Sequence, residues 1–207
     1  MAHMTVTPRV RMRPDTRREQ LLELGVRLFS TRTLEQLSID VLAEEAGISR
    51  GLLYHYFGNK QDFHEAVVRR AVDDLIAVTA PVEDPDLLVR LSVSLERYVD
   101  YVVDHHTAYV SIVRAASSGN EAMREIYESG RNALVDRIFE TAGPEDLASI
   151  GLADTPAVRM MVRGWSALVE DVVLAWVADD RGLTRAQLIE TVALALPAVA
   201  AAAMPAG

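Results

Sequence analysis

Apolar residues along this chain recur every third or fourth position and almost nowhere every second one. In RREQLLELGVRLFS, Leu21, Leu24 and Leu28 share one line, and Leu22, Val26 and Phe29 lie one step round it, which predicts a helix with a broad buried face. The segments that follow are short and sharply punctuated. Ser38 precedes IDVLAEEAG, so a brief helix is expected from an N-cap serine to Gly47, the residue type that tolerates a left-handed C′ position. Ser49 is the next N-cap, for RGLLYHYF; Gly58 and Asn59 break again, and Asn59 can cap KQDFHEAVVRRAVDDLIAVTA. After the breaker APVEDPD, helical spacing resumes at about 86–104, 107–116, 120–141, 156–179 and 184–203, separated by SSGN, by AGPED with GLADTP, and by DDRG. Thr155-Pro156 places an N-cap before an N1 proline, and Thr184 with Gln187 fits a capping box. No run of β-branched or aromatic residues alternates between turn signals, so the expected fold class is all-α.

Composition narrows this picture in three ways. The 207 residues are half hydrophobic, ample for a sizeable core. Cysteine is absent, which excludes a disulfide framework, a thiolate zinc site and a thiol nucleophile. The start, MAHMTVTPRVRMRP, lacks the apolar stretch of a secretory signal; Met1 to His3 read as an added remnant ahead of Met4, and a cytoplasmic location is expected. The tract TVALALPAVAAAAMPA at 191–206 is mostly alanine, contains Pro197 and is shorter than the roughly 20 residues of a bilayer span, so it reads as a packed terminal helix with no membrane partner.

Net charge is −9, which taken alone argues against an anionic partner. The distribution argues the other way. Residues 1–60 carry nine basic groups against seven acids, whereas 61–207 carry twelve against 23. An anion-binding end on an acidic body is the expectation.

Within that end, G-I-S-R-G at 47–51 formally matches the G-x-S-x-G nucleophile elbow. An elbow needs a strand delivering the serine. LAEEAG, a helix, precedes Ser49 instead, and no acid, base and nucleophile assemble elsewhere, so no catalytic residue is assigned and an all-α enzyme is the least favoured reading. Two short helices joined by a glycine-containing turn fit a helix-turn-helix, with Ala43 allowing the close crossing and Leu42, Ala46, Ile48 and Leu53 forming the seam. Ser49 then caps a helix whose N-terminus attracts phosphate. Arg50 is placed to fork onto a guanine, the alternative being a solubilising arginine. Tyr54, His55 and Tyr56 offer hydroxyl or imidazole to phosphate, or half-buried packing, or both. Lys60, the only lysine, stands in a first helical turn that disfavours a cation, which a phosphate would offset.

From LLELGVRLF through SIDVLAEEAGISRGLLYHYFGNKQDF the chain resembles the TetR family of bacterial transcriptional repressors, most specifically in AGISRGLLYHYFGNK; RGWSALVEDVVLAW resembles the penultimate helix of many members. The resemblance implies an all-α homodimer in which three N-terminal helices bind a palindromic operator in double-stranded DNA, a fourth links, and the C-terminal part supplies a ligand pocket and, through its last two helices, a dimer interface. It divides the chain into an Arg-rich arm (1–16), a helix-turn-helix domain (17–60) and an effector-binding and dimerisation domain (61–207). By position, it marks Ser38, Ser49, Arg50, Leu52, Tyr54, His55, Tyr56 and Lys60 as DNA-facing. Members commonly have glycine where the first helix ends, and here Thr33 stands in STRTLEQL, leaving that turn open. The arm either reaches a minor groove or is disordered.

Symmetric operators are read by symmetric dimers, so apolar C-terminal helices should pack on their copies, with Val169, Val172, Trp176, Leu188, Val192 and Leu196 as interface candidates. Tyr98, Tyr101, Val102 and His105 form one helical stripe. With Tyr109, Arg114, Tyr127, Met161 and Trp165 they either line a cavity for a small apolar or amphipathic effector, or are ordinary core with satisfied hydroxyls. His105-His106 is not read as a metal site, because neighbours on a helix diverge by about 100°. No cofactor is implied. A regulator answering to a protein partner, or to nothing, is the second reading.

Overall fold

The computed structural model describes residues 14–201, and every regular element among them is a helix. The first four are α1 (Pro14–Phe29), α2 (Ile39–Ala46), α3 (Arg50–Phe57) and α4 (Lys60–Val78). There follow α5 (Leu87–Asp104), α6 (His106–Ser117), α7 (Glu121–Thr141), α8 (Pro144–Ser149), α9 (Pro156–Ala178) and α10 (Arg185–Ala201). Residues 1–13 of the expected arm lie outside the described part, and α1 already begins at Pro14 rather than at 17.

The cap residues act as their chemistry demands. Ser38 Oγ accepts from the Val41 amide at 3.1 Å, Ser49 Oγ from Leu52 at 3.3 Å, and Asn59 Oδ1 from Asp62 at 2.9 Å, each satisfying one orphan donor. Gly47 adopts φ 62° and ψ 37° and turns its N–H back to the end of α2, a conformation a side chain would strain. The turn after α1 needs no glycine: Thr33 and Gln36 exchange backbone-to-side-chain bonds of 3.0 and 3.4 Å, and Thr33 has no positive φ. Helix α8 is a correction, since AGPED was taken as a breaker. Pro144 sits where a helix start tolerates it, and Asp146 accepts from the Gly143 amide at 3.3 Å. Pro197 lies inside α10 without ending it.

Two hydrophobic cores divide the molecule. The first gathers Leu21, Phe29, Leu42, Leu53, Phe57, Phe63 and Val67 from α1–α4, together with Ala108, Ile112, Met123 and Ile126 from α6 and α7. Helices α1–α4 therefore share their core with the C-terminal body, and the Leu34 amide donates to buried Ser111 Oγ at 2.9 Å across that junction. The second core packs α5, α7, α9 and α10 around Leu95, Val99, Val162, Trp165 and Leu196. Helix α4 leans closely on α7: a Cβ on Gly130 would stand 2.5 Å from Val72 Cγ1, so only glycine fits.

Four of the interface candidates are used up inside the protomer. Val169, Leu188, Val192 and Leu196 are buried in the second core, because α9 and α10 turn their larger apolar residues toward α5 and each other. Val172 and Trp176 are only partly buried, and Trp176 donates its ring N–H to the Leu183 carbonyl at 2.7 Å. What these helices leave outside is Met160 and Leu168 on α9 and Leu194 on α10, at 66, 42 and 62% exposure. Among the described residues no helix is long and apolar enough to cross a membrane.

Candidate nucleic-acid interface and ligand cavity

Helix α3 is divided lengthwise. Leu53 and Phe57 are buried, at 0 and 3% exposure, and Phe57 meets Phe63 edge-on at 5.1 Å. These contacts fix the rotation of α3, so that Arg50, Leu52, Tyr54 and His55 face outward. Leu52 and Tyr54 are large apolar bodies left open to water, the arrangement expected of a surface awaiting a partner. Tyr56 is half-buried, edge-on to His55 at 5.5 Å, so its ring packs. Ser49 is exposed and Ser38 half-exposed, both at helix N-termini, and Lys60 is exposed at the start of α4. Helix α2 precedes Ser49, so the strand that a nucleophile elbow needs is absent there.

Arg50 pairs with Asp40 on α2, and both side chains are more than half exposed. An exposed pair of this kind contributes about 0–1 kcal/mol, so a guanine or phosphate can displace it at little cost. Two supports escaped sequence reasoning because they join distant positions. Arg18 of α1 stands over the Phe57 ring at 5.2 Å. His64 donates Nε2–H to the Leu37 carbonyl at 2.6 Å, tying α4 to the loop before α2; burial holds its pKa below the usual imidazole value, so the ring is neutral in the fold.

A cavity of about 120 Å³, open on one side, lies between the end of α4, α5, α7 and α9. Leu91, Leu95, Leu134, Ile138 and Trp165 line its middle, and the charged groups on its wall are Arg90, Arg131, Arg137 and Glu170. A second, smaller cavity of about 50 Å³ lies beside it, against α1 and α4, sharing Tyr109, Arg131 and Leu134 as a common wall. Of the pocket candidates, Tyr98, Tyr109 and Trp165 line the first cavity, and Tyr101, His105, Tyr109 and Tyr127 the second. Arg114 points outward from α6, and Met161 lines neither cavity. Helical spacing placed both residues near the stripe, but α6 and α9 turn those positions elsewhere. The three arginines and Glu170 were not anticipated, being scattered over 80 residues with no local pattern.

The shared wall is a chain of hydrogen bonds. Glu170 accepts from Tyr109 at 2.8 Å and from Tyr127 at 2.5 Å. Tyr109 has spent its one proton, so Tyr98 must donate to it, at 2.8 Å. Burial pushes all three phenols up, Tyr127 to about 12, and they remain protonated donors at neutral pH. Trp165 donates to the Val192 carbonyl at 2.8 Å, and Tyr101 to the Ala71 carbonyl of α4 at 2.8 Å, while His105 stacks on Tyr101 at 4.3 Å.

Comparison with known proteins agrees with this geometry at both ends of the chain. Residues 21–67 match the family model of bacterial regulatory proteins, tetR family, and residues 87–196 match the tetracyclin repressor-like C-terminal domain. A tetR-family transcriptional regulator of Streptomyces coelicolor has a crystal structure that superposes with a TM-score of 0.77; it is 34% identical, covering 92% of this chain and 84% of that one. The transcriptional activator FasR of Mycolicibacterium smegmatis is 25% identical, covering 87% of this chain and 81% of its own. The repressor SCO4008 of Streptomyces coelicolor is 30% identical over about half of each chain, 49 and 48%. Relatives thus act in both directions, as activator and as repressor. With an outward-facing second helix in a helix-turn-helix and family models matching both its N-terminal and its C-terminal part, the chain belongs to the TetR family of helix-turn-helix transcriptional regulators, which are not enzymes.

Proposed function

We propose that this regulator is a homodimeric repressor that binds a palindromic operator through α3 and releases it when a small molecule enters the helical body. The carrying observation is the outward row of Arg50, Leu52, Tyr54 and His55 on a helix rotationally locked by Leu53 and Phe57. In this reading residues 17–60 read DNA and 61–207 bind effector and partner, in the cytoplasm of a bacterium. Arg50 contacts a base edge; Tyr54, His55, the Ser38 and Ser49 caps and Lys60 hold phosphates. The mostly apolar cavity wall, with a few directed polar and charged groups, has the make-up of a small-molecule site.

Dimerisation is assigned to the outer faces of α9 and α10. Met160, Leu168 and Leu194 are exposed, and Gly164 between the first two leaves room for close approach of a second copy. Leu194→Arg is expected to give monomers by light scattering with unchanged helicity; an intact dimer would move the interface elsewhere. The function itself is tested by mobility shift on a palindromic duplex. Binding should weaken with salt and fall by about 10-fold or more in Tyr54→Ala with folding intact. A shift insensitive to both would overturn the reading.

A further inference from the structure

At one end of the larger cavity, where α4 and α7 finish and α5 begins, two arginines meet. Arg137 gives Nη1–H to the Ile76 carbonyl at 2.6 Å and Nη2–H to the Thr79 carbonyl and hydroxyl at 3.0 and 2.8 Å, all at the C-terminus of α4. Those acceptors are neutral. Burial alone pushes this guanidinium down, with no acidic neighbour working against it. Arg90 has Asp146 at 2.7 Å and the Thr141 carbonyl at 3.0 Å on its two amino nitrogens, yet its Nε–H is buried without an acceptor among the described residues.

The rest of the wall is apolar for a considerable distance. From Leu87 to Tyr98 the α5 side of the cavity runs about 16 Å at 1.5 Å per residue. At the far end Glu170, the one acid on the wall, already holds two phenol protons. Arg131 stands at that far end too, over the Tyr127 ring and beside Ser166, next to the Glu170 carboxylate. The Arg137–Arg90 end is therefore the one where positive charge and an open donor have no acid on the cavity wall beside them, and an apolar trough runs beyond it.

We infer that the cavity takes an amphiphile with a single anionic head group, the head lying on Arg137 and Arg90 and the apolar body running along Leu91, Leu95 and Ile138 toward Trp165. The inference rests on the reading of this cavity as the effector site, and it adds a route to the DNA. Arg137 holds the C-terminus of α4, and the same helix starts at Lys60, directly after α3. A charged head group is a stronger acceptor than a backbone carbonyl and takes the guanidinium from α4. The last turn of α4 then loses its clamp, so ligand and operator compete through one side chain, and each weakens the other by the same factor.

Decanoate, decyl phosphate and 1-decanol, all below micellar concentration, share a chain and differ in the head. Titration calorimetry on the full-length protein should find one or both anions binding about tenfold or more tightly than the alcohol. Equal binding of all three, or binding of none, overturns the inference on the unmutated protein alone. Arg137→Gln should bring the anion-to-alcohol ratio to about one, and Arg137→Lys should keep most of it; a preference surviving Arg137→Gln places the head elsewhere and overturns the site. The preferred anion should also weaken operator binding, read by anisotropy of a labelled duplex, in the unmutated protein and not in Arg137→Gln. Arg137-dependent binding that leaves operator affinity untouched overturns the α4 route. Failure of the ligand-free protein to bind any duplex would instead strike the repressor reading, while the calorimetry still reads the head-group site.

Discussion

The outward surface of α3 and the wall of the α5–α9 cavity are both polar surfaces carried by helices, and they handle their polar groups in opposite ways. On α3 the tyrosine and histidine stand in water and the arginine holds only an exposed, readily displaced pair with Asp40, so these groups stay available to a partner. In the cavity Tyr98, Tyr109, Tyr127 and Glu170 satisfy one another because burial requires it. Against that background a guanidinium held only by neutral acceptors, and a buried Nε–H held by none, carry information that an exposed arginine does not. Open valence is telling where water is scarce.

The contrast can be broken most severely from inside. Leu53→Ala removes a fully buried side chain from the seam behind α3 and is expected to cost about 2–5 kcal/mol in urea unfolding, with operator binding lost alongside. If stability barely changed, α3 would not owe its orientation to that core. On the cavity side, Gly130→Ala forces a methyl against Val72 and should cost about 1–3 kcal/mol, loosening the α4–α7 contact that lines the second cavity. A melt indistinguishable from the parent would mean that α4 and α7 can part freely. Ser49→Ala deletes the α3 cap and should cost about 1 kcal/mol in thermal unfolding. Operator affinity should fall beyond what that stability loss explains, if the hydroxyl also meets a phosphate.

The smallest effect is a pH dependence at the junction of the two regions. His64 has its pKa lowered by burial, so below pH 6.5 the unfolded chain binds a proton that the folded one resists. Stability contributed there is complete above pH 6.5 and declines as pH falls from 6.5 toward the lowered folded value. His64→Gln should flatten that part of the stability profile; an unchanged slope would assign it to another group.

The same contrast explains what could be read without coordinates. The outward residues of the helix-turn-helix lie between Ser38 and Lys60, where caps, a left-handed glycine and a two-turn helix are nearest-neighbour chemistry that a string of letters displays, whereas the Arg18 and His64 supports join distant positions and are not. Nine of the ten helices among the described residues follow from the same local signals, and α8 does not because a proline at a helix start looks like a proline that ends one. The cavity draws on Thr79, Arg90, Arg131, Arg137 and Glu170, whose meeting depends on how α5, α7 and α9 rotate against one another. Periodicity identifies an apolar helix face but not which neighbour covers it. That is why Val169, Leu188, Val192 and Leu196, apolar at helical spacing, read as a surface between copies and are core in the fold, while Tyr98, Tyr109 and Trp165 of the same kind of spacing do line the cavity.

The central claim is that two copies of this chain present two α3 helices to one face of a duplex. Selection of bound fragments from a random pool, followed by the mass of the recovered complex, tests it most directly. The account expects an inverted repeat bound by at least two copies, with half-site centres about one helical turn or a multiple of it apart. An asymmetric site bound by a single copy, or a pool that is never enriched, would contradict it.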